Sequence, residues 1–135
     1  MAGKRILAVE NNDLVLSFLE DGLTLAGYMV DTASNGREAL EKMDHAAYDL
    51  IISDVRMPEI DGTGLCAQLA ARDAATLARL VFLASPDVLD DQRSFLDRTG
   101  VPVLTKPFEL DDLHSVVERV LGQTAEPQPL SRQAS

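Results

Sequence analysis

The sequence predicts an α/β domain built on one parallel β-sheet with helices on both faces. Three observations carry this reading. Five short apolar runs (Arg5 to Val9, Met29 to Ala33, Leu50 to Ile52, Leu80 to Leu83 and Val101 to Thr105) alternate with segments whose apolar residues recur at helical spacing. The connections are mostly a few residues long, which for parallel strands requires right-handed βαβ crossovers. The run at Leu50-Ile51-Ile52 is continuous rather than alternating, as in a strand buried on both faces.

Taken in order, Arg5 to Val9 ends abruptly in Glu10-Asn11-Asn12-Asp13, a first buried strand followed by a polar loop. From Asp13 onward Val15, Phe18, Leu19, Leu23 and Ala26 recur at roughly helical spacing, and Gly27 stands where a C′ glycine closes a helix. Met29 to Ala33 is a second, shorter strand. Asn35 and Glu38 have the spacing of a capping box, and Ala39, Leu40 and Met43 mark the inner face of a second helix. Tyr48 and Asp49 lead into the central strand, and Asp54 sits where its apolar run stops. Met57-Pro58-Glu59-Ile60-Asp61-Gly62 breaks that strand. Leu65, Leu69 and the alanines up to Ala71 suggest a third helix. Leu80 to Leu83 runs into Ala84-Ser85-Pro86-Asp87, and Val88, Leu89, Phe95 and Leu96 place a weakly amphipathic fourth helix over Val88 to Arg98, with Gly100 after it. Val101 to Thr105 is a fifth strand, broken by Lys106-Pro107. Leu110, Leu113, Val116, Val117 and Val120 give the clearest helical period in the chain, and this last helix is expected to end at Gly122.

These elements imply a single-domain, flavodoxin-like (βα)5 doubly wound sheet with strand order 2-1-3-4-5. The fifth strand then lies at an edge, where Pro102, lacking a ladder donor, is tolerated. Residues 1–121 form the domain, and 122–135, with Pro127, Pro129 and no apolar period, reads as a disordered tail. At 135 residues and 46% hydrophobic, the chain is long enough for one full core. A net charge of −10 leaves no basic patch to neutralise phosphates, which argues against nucleic acid as a partner. Cys66 is the only cysteine, so an internal disulfide and a multi-cysteine metal site are excluded. No stretch approaches the ~18 apolar residues of a membrane span, and the N-terminus lacks a signal-peptide core, so no membrane partner is expected and the chain reads as cytoplasmic.

The polar residues at strand ends carry the chemistry. A lone aspartate at a strand end more often caps or turns the chain. Here Glu10 and Asn11 follow strand one, Asp54 ends strand three, Ala84-Ser85 follow strand four and Lys106 ends strand five. All open onto the carboxyl edge of a parallel sheet, where open α/β folds place their ligands. Oxygen ligands at Glu10, Asn11 and Asp54 suit a hard cation such as Mg²⁺. Lys106 supplies a movable positive charge for a phosphoryl oxygen.

On these residues the chain from about residue 4 to 121 resembles the receiver domain of bacterial two-component response regulators. ILAVENN after strand one, DLIISDVRMPEIDG around Asp54 and LTKPF after strand five carry the resemblance. It implies a phosphoprotein of a phosphorelay, in which Asp54 accepts a phosphoryl group from a histidine kinase or histidine phosphotransfer protein. It also implies Mg²⁺ (or Mn²⁺) held by Glu10, Asn11, Asp54 and the Arg56 backbone carbonyl, with Lys106 on the phosphoryl group and a cis Lys106-Pro107 bond. Signalling would pass to a downstream protein target by contact, from a monomer or weak dimer. The domain would be no enzyme beyond catalysing its own phosphorylation and dephosphorylation.

Three positions depart from that family's pattern. Asn11 stands where the second acid of the pair is usual, so one negative charge is gone. Ala84 occupies the position of the usual Thr or Ser after strand four, with Ser85 one residue later as a substitute. Val103 occupies the position of the switch aromatic in strand five. Other residues have plain readings: surface or helix-end roles for His45 and His114, packing for Cys66, helix-dipole roles for Asp90-Asp91 and Asp111-Asp112, a turn at Asp61-Gly62, and solvation of the loop by Glu59.

Three functions compete. The leading one is a stand-alone phosphorylatable receiver. The alternative is a pseudo-receiver that binds its partner with little or no phosphorylation, which Asn11 and Ala84 favour and Asp54 and Lys106 oppose. A hydrolase with an aspartyl nucleophile would want a second acid two residues on, where Arg56 stands.

Overall fold

In the computed structural model, which describes residues 4–55 and 78–124, five parallel strands form one sheet. They are β1 (Arg5–Val9), β2 (Met29–Ala33), β3 (Leu50–Asp54), β4 (Leu80–Ala84) and β5 (Val103–Thr105), in the order β2-β1-β3-β4-β5. The described helices are α1 (Asp13–Leu25), α2 (Gly36–His45), α3 (Pro86–Asp91), α4 (Arg93–Thr99) and α5 (Leu110–Thr124). The strand order is the one the sequence predicts, and β5 is indeed at an edge.

Successive side chains of a strand point to opposite faces, and the core divides accordingly. Ile6 and Ala8, Leu50 and Ile52, Val81 and Leu83, and Leu104 pack with Leu19 and Leu23 of α1 and with Leu113, Val116, Val117 and Val120 of α5. The alternate set, Leu7, Val9, Ile51, Leu80, Phe82 and Ala84, packs with Ala39 of α2, Val88 of α3 and Leu96 of α4. All five residues of β3 and all five of β4 are buried, as expected for strands covered on both faces.

The helix ends follow their local chemistry. Asn12 caps α1: its side chain accepts from Leu14 N–H (3.0 Å) and Val15 N–H (3.2 Å). At the other end Gly27, at φ 100°, takes the left-handed turn. There Tyr28 N–H donates to Leu23 O and Gly27 N–H to Thr24 O, a Schellman closure. Asn35 Oδ1 accepts from Glu38 N–H (2.8 Å), while Glu38 reaches back one residue further than a simple capping box, accepting from Ser34 N–H (2.6 Å).

Several boundaries differ from the sequence expectation. The single helix expected over Val88 to Arg98 starts at Pro86 and is broken at Gln92, which has φ −106° and ψ 14°. Pro86 fits the first turn of α3, where its missing N–H is no loss. Asp90 thus lies at the end of α3, where it accepts from Arg93 (3.3 Å), rather than at a helix start. β5 begins at Val103, two residues later than expected; Pro102 contributes only its carbonyl, which accepts from Phe82 N–H (2.9 Å). α5 continues to Thr124 and overruns the expected stop at Gly122. An isolated glycine costs a helix only about 1 kcal/mol and so need not end it. His114 is neither surface-only nor at a helix end: its Nε2 lies 2.9 Å from Gly22 O, joining α5 to α1. Gly22 permits that approach, since a Cβ there would meet Leu110 Cδ1 at 2.7 Å. The third helix, Arg56, Glu59, Asp61, Gly62, Cys66 and the tail beyond Thr124 lie outside the described residues.

Candidate functional site

The site is an extension of strand alternation. Glu10 follows Ile6 and Ala8, Asp54 follows Leu50 and Ile52, and Lys106 follows Leu104, so each continues the strand face that α1 and α5 cover. Beyond the carboxyl ends of the strands these positions converge. Lys106 Nζ donates to Asp54 Oδ2 at 2.8 Å and lies 2.9 Å from Glu10 Oε1. Asp54 is fixed from behind, because β3 and β4 pair Asp54 with Leu83, and Val55 N–H donates to Leu83 O (3.0 Å).

Burial makes this charge cluster consequential. Glu10 is 1% exposed and Asp54 7%, while 22% of the Lys106 side chain is exposed. Burial pushes the Glu10 carboxyl above its ordinary value, and the Asp54 charge adds to this against the opposing pull of Lys106 and the Asn12 amide. For Lys106, burial alone would lower the ammonium, but its hydrogen bond to Asp54 and the negative charges of Asp54 and Glu10 outweigh that and hold it above its ordinary value. Two carboxylates and one ammonium leave the cluster one positive charge short of neutrality.

Glu10 Oε2 is oriented by Asn12 N–H at 3.0 Å. Glu10 Oε1 is fully buried and receives no well-directed hydrogen bond; the 2.9 Å approach of Lys106 Nζ is an ion pair off the hydrogen-bond direction. A buried anionic oxygen with unfilled lone pairs facing a second carboxylate is a donor set that fits a hard cation. Among the described residues no group of three His, Cys, Asp or Glu converges as a metal site, and the carboxylates these residues offer a cation here are those of Glu10 and Asp54. Asn11, with an amide oxygen of that kind, is an exposed residue next to Glu10. The Arg56 carbonyl lies outside the described residues.

The remaining predicted positions divide. Ala84 is buried on the opposite face of the sheet, pairs with Thr105, and its carbonyl accepts from Lys106 N–H (2.8 Å). Ser85, in extended conformation, points its Oγ at Asp87 Oδ1 (2.7 Å). Val103 is half-buried, pairs with Phe82 and packs on the α2 side of the core. The Lys106-Pro107 peptide is cis. Asn12, which is not among the predicted positions, also touches the cluster through its backbone N–H on Glu10. An Asn just before an apolar-periodic segment is a helix-cap signal, and the cap brings its N–H onto Glu10.

Beside the charged cluster an open cavity of about 490 Å³ is lined by Leu14, Val15, Phe18, Ser85, Lys106 and Phe108, among others. Leu14 is 83% exposed, and the Phe18 and Phe108 rings meet at 5.7 Å. Among the described residues no helix is long and apolar enough to cross a membrane.

A doubly wound sheet carrying two buried carboxylates and a lysine at its carboxyl edge is the arrangement of a receiver-type signalling domain. The chain belongs to the response regulator receiver domain family, which it matches over residues 6–118. It is similar to the transcriptional regulatory protein TcrA of Mycobacterium tuberculosis, at 33% identity over 99% of this chain and 52% of that protein. It is also similar to the alkaline phosphatase synthesis transcriptional regulatory protein PhoP of Bacillus subtilis, at 32% identity over 90% of this chain and 50% of that protein. The chain thus spans about half the length of these curated relatives. Among solved structures, the chemotaxis response regulator CheY4 of Vibrio cholerae is similar at a TM-score of 0.78 and 30% identity, covering 87% of this chain and 98% of that one.

Proposed function

We propose that the domain takes a phosphoryl group from a histidine kinase or histidine phosphotransfer protein onto Asp54 and passes the signal on by protein contact. The observation that carries this reading is the nearly buried Asp54 carboxylate held 2.8 Å from Lys106 and facing Glu10 across it. Membership of the receiver family supports it. Asp54 Oδ atoms are the nucleophile, attacking phosphorus in line as the donor imidazole leaves. Lys106 swings from its two carboxylates to the incoming phosphoryl oxygens and offsets their charge, for which its flexible stem and compact ammonium suit it. Glu10, Asn11 and Asp54 would hold Mg²⁺, with the Arg56 carbonyl assigned from the family resemblance. When bound, the ion supplies further positive charge to the transferring group.

The product acyl phosphate carries roughly two negative charges in place of one and so recruits new donors. It competes with Glu10 for Lys106, which ties β5 and the start of α5 to the chemistry at β3. Exposed Leu14 and Phe18 beside Lys106 give the phosphodonor an apolar surface next to the acceptor. Residues 1–121 are the unit to which we assign these steps. The test is intact-mass analysis after incubation with a small phosphodonor, with and without Mg²⁺. A Mg²⁺-dependent phosphoryl adduct is expected; its absence under both conditions would favour partner binding without phosphorylation.

A further inference from the structure

We propose that Asp87 is a positioning residue that holds the Ser85 hydroxyl away from the phosphoryl-binding side of the site. The inference rests on the phosphoacceptor reading of Asp54. Three observations lead to it. In β4 it is Val81 and Leu83 that face α1 and α5, and because Ser85 remains extended (φ −76°, ψ 163°) it continues that series. Ala84 faces the other way, into the core under α2 and α3. Ser85 therefore stands on the same side as Lys106, and the two line one cavity. Lys106 Nζ is 2.8 Å from the acceptor carboxylate.

The third observation is what the hydroxyl does there. A serine at a helix N-cap ordinarily accepts from the backbone N–H groups of the first turn. Ser85 makes no such bond; its Oγ donates to Asp87 Oδ1 at 2.7 Å. A hydroxyl has one proton to donate. While that proton is committed to Asp87, Ser85 can offer a phosphoryl oxygen only lone pairs, which repel it. Donation to the phosphoryl group requires the Ser85–Asp87 bond to break, so Asp87 sets how readily Ser85 supplies the hydroxyl that Ala84 lacks.

Removing Asp87 also removes a negative charge near an anion site, and the test must separate the two effects. Beryllofluoride affinity in the presence of Mg²⁺ is measured for the wild type, Asp87→Ala, Ser85→Ala and the double variant, with Asp87→Asn as a fifth protein that keeps an acceptor in place. Released from Asp87, the hydroxyl should tighten beryllofluoride binding on the order of fivefold more in the Ser85 background than in the Ser85→Ala background. Asp87→Asn should show much less of this background-dependent gain. Equal tightening by Asp87→Ala in both backgrounds would mean that Asp87 acts through charge alone, and would overturn the proposal while leaving the phosphoacceptor reading standing. Absence of Mg²⁺-dependent beryllofluoride binding in all five proteins would overturn both.

Discussion

Replacing Lys106 by methionine keeps the aliphatic stem and deletes the charge between two buried carboxylates. At 2.8 and 2.9 Å, and with an effective dielectric constant of ~20, each contact is worth about 6 kcal/mol of attraction before desolvation. Dehydrating the ammonium offsets much of that, and deleting one partner of a buried ion pair costs about 3–5 kcal/mol. Because 22% of the Lys106 side chain is exposed, the lower end applies, about 3 kcal/mol at neutral pH. The loss should depend on pH, with a definite sign. Between its ordinary value of 4.5 and its raised folded value, the Glu10 carboxyl binds more protons in the folded chain than in the unfolded one, so stability falls as pH rises through that window. Lys106 holds the folded value down; without it the window widens upward, and the penalty of Lys106→Met should shrink as pH is lowered from neutral toward about 5. Urea unfolding of both proteins across that range measures it, and saturating Mg²⁺ should recover part of the loss by binding the folded state alone. A penalty below about 0.5 kcal/mol that does not change with pH would refute the picture of a buried, mutually dependent cluster.

Three further outcomes are expected. Asn11→Asp should tighten Mg²⁺ binding about ten- to a hundred-fold, because it restores one negative charge to the ligand set; titration showing equal affinities would place Asn11 outside that set. Asn12→Ala should cost about 1 kcal/mol in urea unfolding through loss of its two bonds to the first turn of α1, with the backbone N–H to Glu10 retained. Ser85→Ala alone should change the stability of the phosphorylated state by well under ~1 kcal/mol while Asp87 holds the hydroxyl, as read by beryllofluoride titration.

What could be read from the chain, and what could not, follows from the range of the interactions. β1, β3 and β4 were legible because Ile6 to Val9, Leu50 to Ile52 and Leu80 to Leu83 are buried on both faces and therefore apolar without interruption. The site positions were legible because a parallel sheet gathers all its strand ends on one edge, so Glu10, Asp54 and Lys106 could be grouped without knowing a distance. Boundaries were less so. The break at Gln92 and the continuation of α5 through Gly122 depend on packing that weak periodicity does not encode, and the late start of β5 turns on which backbone groups Pro102 can offer. Contacts between residues far apart in sequence were the least accessible. His114 on Gly22, Tyr48 O–H donating to Asp31 at 2.7 Å, and one lysine shared by two carboxylates appear only once the helices and strands are placed. Short-range polar pairs such as Ser85–Asp87 are near in sequence, but a Ser-Pro-Asp turn is equally compatible with a hydroxyl that caps the helix.

Asp54 is expected to be the sole acceptor, and paired intact-mass spectra of the wild type and Asp54→Asn decide it. After incubation with a small phosphodonor and Mg²⁺, the wild type should gain one phosphoryl group, and Asp54→Asn, with its fold intact by circular dichroism, should gain none. A phosphoryl adduct of undiminished intensity in Asp54→Asn would mean that another residue accepts the phosphoryl group.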